Sequence, residues 1–254
     1  MQIRRNDFGD SVSDHFRRTV LGVPVDICLD VFSSAKLLHA HGGGQIITLN
    51  AEMTMAARSN NALEMAIKAA DLVIPDGAGV VWALSRQGVR VVRTPGIELA
   101  WSLLTHAASQ GWTVALVGGS PEVMESLKLR LNLELPLLRL AMAIDGYRPV
   151  DEWSDVESRL KSLAPDLVLV ALGIPRQETW AQSMRLSGST GLWMGVGGSF
   201  DVWAGSKKRA PAWMRDLHIE WLYRLVQEPS RWKRMLSLPA FAWDVLTTGE
   251  RSNR

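Results

Sequence analysis

Cysteine is nearly missing from this chain of 254 residues, and the single Cys28 excludes both an intramolecular disulfide and a cysteine-built zinc site. A lone thiol of this kind reads as a small apolar packing residue. No run of about 18 uninterrupted apolar residues occurs, so no segment is expected to span a bilayer. The opening residues MQIRRNDFGDSVSDHF contain no apolar stretch of the kind a secretory signal needs, which points to a cytoplasmic location. About fifteen polar residues at the start and a few at the end are expected to be disordered. Of the five histidines only His39 and His41 lie close together, without acidic companions, so no metal site is read from them.

What is present is unevenly distributed. Residues 1–204 carry 18 Lys and Arg against 21 Asp and Glu, a net of −3, whereas residues 205–254 carry 10 against 5, a net of +5. The basic segment is also rich in tryptophan: Trp203, Trp213, Trp221, Tyr223 and Trp232 lie among Lys207, Lys208, Arg209, Arg215, Arg224, Arg231, Lys233 and Arg234. Aromatic rings favour the water–headgroup boundary, and guanidinium groups bind phosphate in a fixed fork. An anionic partner at a membrane surface follows. Nucleic acid does not, because the basic patch is small and the rest of the chain is acidic.

Short apolar runs alternate with longer amphipathic ones, the pattern of a parallel sheet covered by helices. Strands are expected at Gln45–Leu49, Leu72–Ile74, Thr113–Val117, Leu137–Ala141, Leu167–Ala171 and Gly191–Val196. Helices are expected at 52–69, 77–87, 96–109, 121–133, 151–163 and 176–186. Ser120-Pro121 supplies a cap and a first-turn proline, and Asp151 is a candidate cap for its helix. Beyond about Gly205 no strand follows; a helix over Pro211–Val226 and another over Ser230–Leu246 are separated by Pro229. The fold class is therefore α/β, a Rossmann-like parallel sheet flanked by helices, with a core over 1–204 and a helical appendage over 205–254.

In open parallel sheets ligands bind at the carboxyl ends of the strands. Thr48 and Asn50 share one face after the first strand; they serve to hydrogen-bond a sugar, to orient Asp76, or simply to form the turn. Asp76 follows the second strand and is a candidate base for a hydroxyl nucleophile, or else a cap for the helix beginning near Gly77. Gly118-Gly119-Ser120 offers backbone amides at a helix N-terminus, a seat for a diphosphate. Arg93 is a candidate phosphate ligand. The loops holding Gln177 and Glu178, and Phe200 and Asp201, close the remaining strand ends. No strand is followed by an Asp-x-Asp pair of the kind that holds a cation in metal-dependent nucleotide-sugar transferases. An oxidoreductase on a doubly wound sheet is the alternative, weakened by the lack of a G-x-G-x-x-G turn.

Eight ordered motifs carry a resemblance: TLN (48–50), ADLVIPDGAGV (70–80), RTPGIEL (93–99), LVGGSPE (116–122), DGYRP (145–149), PDLVLVALGIPRQE (165–178), GVGGSFDVWAGSKKRAP (195–211) and IEWLYRLVQEPSR (219–231). From about Val20 to Leu246 the chain resembles the WecG/TagA/CpsF glycosyltransferases. Two positions depart from the family pattern: Glu98 stands where aspartate is common, and His218 where glycine is usual. The resemblance implies an inverting, metal-independent enzyme that needs no cofactor. Its donor would be a UDP-sugar (N-acetylmannosamine, its uronate, or glucose) and its acceptor a polyprenyl-diphosphate-linked saccharide of cell-surface polysaccharide or teichoic acid. It also implies that Asp76 is the general base, that Thr48 and Asn50 line the sugar, and that Arg93 and Gln177 contact the reacting groups. Arg224, Arg231 and Arg234 would lie over the lipid diphosphate on the cytoplasmic face of the inner membrane. Exchange between a homo-oligomer and a membrane-bound monomer is implied as well.

Overall fold

The computed structural model describes residues 16–216, 220–229 and 232–249. Its centre is a six-stranded, wholly parallel sheet built from β3 (Gly43–Leu49), β4 (Leu72–Pro75), β5 (Thr113–Gly118), β6 (Arg139–Ile144), β7 (Leu167–Ala171) and β8 (Gly191–Gly195), in the order β4-β3-β8-β7-β5-β6. These strands are continuous apolar runs because both faces are covered. Ile46, Leu72, Ile74, Leu116, Leu169 and Met194 face one layer, formed with α1 (Val31–Ala40), α5 (Gly96–Gln110), α6 (Pro121–Glu134) and α9 (Ser199–Trp203). The alternate residues face the other. There Ile47, Leu49 and Val73 meet α2 (Ala51–Ser59), α3 (Asn61–Ala69) and α4 (Ala78–Arg86), while Val117, Val170 and Trp193 meet α7 (Trp153–Leu163) and α8 (Arg176–Leu186).

The six expected strands are all present, with Leu137–Ala141 displaced to Arg139–Ile144. The expected helix 52–69 is two helices. Asn60 sits between them in extended conformation, and its side chain accepts from Leu63 N–H, starting α3 afresh. Asp151 is not a cap; it lies in a 3-10 turn, Val150–Glu152, ahead of α7. The expectation of a disordered start concerns residues that lie outside the described ones.

A hairpin, β1 (Phe16–Val20) and β2 (Val23–Ile27), precedes the sheet and has no counterpart in the sequence reading. Its turn is Leu21-Gly22, both at positive φ (48° and 88°), the geometry of a two-residue turn that matches strand twist. Asp26, wholly buried, fastens β2 to the sheet. Its carboxylate accepts from Arg17 Nε and Nη2 at 2.5 and 2.6 Å and from Val73 N–H at 2.7 Å.

The C-terminal segment runs through α10 (Ala212–Asp216), α11 (Glu220–Gln227), α12 (Trp232–Met235) and α13 (Ser237–Gly249). The expected helix over Ser230–Leu246 is found as two pieces that meet at Leu236, and that over Pro211–Val226 is helical at Ala212–Asp216 and Glu220–Gln227 among the described residues. Phe241 and Val245 of α13 are buried in the same cluster as Leu49, Met53 and Val80, and Arg58 pairs with Asp244. Among the described residues no helix is long and apolar enough to cross a membrane.

Removing the Asp26 carboxylate leaves Arg17 and the Val73 amide without it in a dry setting. Asp26→Ala is expected to cost about 3–5 kcal/mol and to lower the thermal midpoint by roughly 10 °C, as read by calorimetry. A midpoint within a degree or two of wild type would show that the hairpin is held by its apolar face alone.

Candidate active site

The ends of β3, β4 and β8 converge on one cleft. Asp76 leaves β4 with its N–H donating to the Leu49 carbonyl at 3.0 Å, which fixes the two strand ends together. Its carboxylate does not cap the helix that follows, since Gly77 is that cap and makes no side-chain bond. Instead Asp76 Oδ1 accepts from Gly96 N–H at 3.1 Å, at the first residue of α5. The positive end of a fifteen-residue helix favours a negative charge there. Gly96 must be glycine: a Cβ would stand 2.6 Å from Thr48 Cγ2. Close approach of helix and strand therefore places Thr48 beside Asp76.

Arg93 completes the group. Its Nε donates to the Asp76 carbonyl at 2.5 Å and its Nη2 to Glu220 Oε2 at 2.9 Å, while Nη2 lies 3.9 Å from Asp76 Oδ1. Two cavities meet at this point, and Asp76, Arg93 and Glu220 line both. The first, of about 100 Å³, has Thr48, Gly198, Ser199, Lys207, Lys208 and Arg209 in its wall. The second, of about 150 Å³, is bounded by Asn50, Glu52, Trp221, Met235 and Leu238.

Two residues of the basic run, Lys207 and Arg209, are paired with acids. Lys207 pairs with Asp201 at 3.2 Å and with Glu228; burial opposes its charge, but the bond to Glu228 and the Asp201 carboxylate outweigh it and raise its pKa. Arg209 pairs with Glu98.

The structure thus brings together Thr48, Asn50, Asp76 and Arg93, although Asn50 also spends its side-chain oxygen on Met53 N–H as the cap of α2. Other expected ligands lie elsewhere. Gln177 is buried behind the cleft, where its Oε1 accepts from Gly173 and Gly197 N–H at 3.2 Å each and so ties two loops together. Glu178 is buried behind Gln177. Phe200 is wholly enclosed, against Gly119 and Trp203, and offers no surface to a ligand because α9 turns its ring inward. Gly118 and Gly119 border Ala171 and Gly146 instead of the two cavities, and Ser120 caps α6 through Val123 N–H. Asp201 reaches the cleft only through Lys207. Arg234 is exposed, 3.8 Å from Glu52. Arg231, the Arg224 side chain and His218 lie outside the described residues. Missed in the sequence were Lys207, Lys208 and Arg209, visible as a basic run, and Glu220, which carries no local signal.

A sequence profile of the Glycosyl transferase WecG/TagA/CpsF family matches residues 18–254. The chain belongs to this family. It is a glycosyltransferase, and the oxidoreductase alternative falls. Two relatives are 36% identical to it. One, the N-acetylglucosaminyldiphosphoundecaprenol N-acetyl-beta-D-mannosaminyltransferase of Bacillus spizizenii, aligns over 82% of this chain and 81% of its own. The protein of the same description from Bacillus subtilis aligns over 80% and 79%.

Behind the cleft of this family member, burial raises the Glu178 carboxyl to about 7, against the hydrogen bond it accepts from Gln177 Nε2 at 2.6 Å. Its other oxygen has no hydrogen-bond partner. A carboxyl whose folded pKa exceeds its unfolded one keeps its proton on folding, so stability falls as pH rises from about 4.5 to about 7 and then levels. Glu178→Gln is expected to flatten that slope. Urea midpoints for both proteins at pH 5 and pH 8 check it, and equal slopes would show that Glu178 is not the titrating group.

Proposed function

We propose that the protein transfers a sugar, N-acetylmannosamine in the first instance, from a UDP-sugar to a saccharide carried on a polyprenyl diphosphate. The activity for which the two relatives are named supports the sugar and the acceptor class. The observation that carries the reading is the placement of one carboxylate, Asp76, where a basic cavity and an apolar-edged cavity meet. A hydroxyl nucleophile in one and an activated sugar in the other would both reach it.

In this reading Asp76 removes the proton from the acceptor hydroxyl. The oxygen attacks the anomeric carbon, and UDP departs from the opposite face with inversion. Lys207, Lys208, Arg209 and Arg93 hold the leaving diphosphate in the role a cation serves in metal-dependent transferases. Thr48 and Asn50 orient the sugars. Gln177 acts by fixing the loops at Gly173 and Gly197.

The segment 205–254 is proposed as a lid that meets the cytoplasmic face of the inner membrane. Trp213, Trp221, Trp232 and Trp243 are all more than 40% exposed, as are Val226 and Leu236, an apolar surface that a lipid boundary would cover.

Asp76→Asn is expected to lower kcat by about 10²–10⁴ while UDP still binds. UDP release measured with UDP-N-acetylmannosamine and a lipid-linked N-acetylglucosamine acceptor checks it, and unchanged turnover would remove Asp76 from the chemistry. Replacing Trp213 and Trp243 together by serine is expected to weaken binding to anionic vesicles about tenfold or more. Transfer to a short-chain acceptor in detergent should stay within a few-fold. Undiminished vesicle binding in sedimentation would assign the membrane contact elsewhere.

A further inference from the structure

Gln177 has one side-chain amide, and its two ends serve different purposes. The Oε1 end accepts from Gly173 and Gly197 N–H, so the loops after β7 and β8 share one oxygen. Gly197 lies between Val196 and Gly198, both in the wall of the basic cavity. Turned over, the amide would aim its NH2 at those two N–H groups and leave both without this acceptor. Oxygen and nitrogen are nearly alike in size, so shape alone does not choose between the orientations. The other end does: Gln177 Nε2 donates to Glu178 Oε1 at 2.6 Å.

Glu178 supplies that acceptor at a cost in stability. The side chain is 2% exposed, and its Oε2 has no hydrogen-bond partner among the described residues. A buried carboxyl left half-satisfied is destabilising. The surroundings are nonetheless built around the pair. A Cβ on Gly195, at the end of β8, would stand 2.6 Å from Gln177 Nε2 and 3.0 Å from Glu178 Oε1. Gln45 of β3 donates to the Glu178 carbonyl at 2.9 Å, which fixes the backbone that carries the carboxyl.

We propose that Glu178 is a positioning residue for the transfer reaction: it sets the direction of the Gln177 amide, and through it the loop at Gly197 that walls the basic cavity. The proposal rests on the reading that this cavity receives the donor diphosphate. Glu178 then governs donor binding without touching the donor. Asp76 stands at the end of β4, separated from β8 by β3, so the effect falls on binding more than on proton transfer.

Glu178→Met keeps the bulk and removes the acceptor. In the full-length enzyme the KM for UDP-N-acetylmannosamine is expected to rise about five- to twentyfold, with kcat within about threefold of wild type. Glu178→Gln keeps an acceptor oxygen for Gln177 and should bring KM back to within about threefold of wild type. A merely packing role is filled as well by methionine and predicts no such split. Hydrogen exchange reads the link without substrate: the Gly173 and Gly197 amides should exchange about tenfold faster in Glu178→Met than in wild type or Glu178→Gln. Where Glu178→Met does not fold, Gln177→Met takes its place, because Glu178 acts through Gln177, and the same rise in KM is expected. A wild-type KM in the folded methionine variant, or a glutamine variant no better than methionine, overturns the proposal. Lys208→Ala, with UDP binding followed by calorimetry, separates the two readings. Unchanged affinity there removes the diphosphate from the basic cavity, while the exchange rates still decide whether Glu178 orients Gln177.

Discussion

One hydrogen bond, from Gly96 N–H to the carboxylate of Asp76, sets the conditions for everything around it. It joins the end of β4 to the start of the longest described helix of the sheet layers, and it places an anion where the amides of that helix point. Glycine at 96 is the accompanying constraint, because any side chain there would collide with Thr48. With helix and strand this close, the loop between α4 and α5 has to return over Asp76. Thr94 N–H bonds to the Pro75 carbonyl at 3.1 Å as it does so, and Arg93 is delivered to the Asp76 backbone. Three candidate site residues thus share one rigid origin.

The cleft is rich in charge but not bare of counter-charge. Arg93 has Glu220, Arg209 has Glu98, and Lys207 has Asp201 and Glu228. Acids from both the core and the tail take part, so the net +5 of the last fifty residues does not translate into an open positive bowl at the site. On the proposed function, a diphosphate entering such a network would exchange partners with carboxylates already in place. Exchange of this kind holds the cations in defined positions before the ligand arrives, which lowers the ordering cost of binding and favours geometry over raw affinity.

The sheet was legible in the sequence because its strands are buried on both faces and so appear as unbroken apolar runs. The hairpin was not, since Phe16–Val20 is largely exposed and its turn, Leu21-Gly22, lacks the Asn or Asp that marks such turns. Position after a strand identified Thr48, Asn50, Asp76 and the loops at Gln177 and Phe200. It could not say which way a side chain would point. Gln177 and Phe200 are adjacent to the cleft in the chain, yet both turn inward, one to bridge two loops and the other to fill the layer beneath Gly119. Glu220 lay hidden for the opposite reason: a single acid in an amphipathic helix looks like a solvated face, and its ion pair with the distant Arg93 cannot be read from the sequence.

That same ion pair has a consequence for the tail. Successive residues of a helix turn by about 100°. With Glu220 directed at Arg93, residues 221, 222 and 226 therefore point roughly 100°, 200° and 240° away from it. These are Trp221, Leu222 and Val226, all exposed. Ordinary surface helices bury such residues and expose their acids. Here the order is inverted, and the inversion follows from satisfying one buried carboxylate. The contact between Glu220 and Arg93 therefore also leaves an apolar face to the outside, so that on the proposed function one helix would serve both the candidate site and the lipid surface.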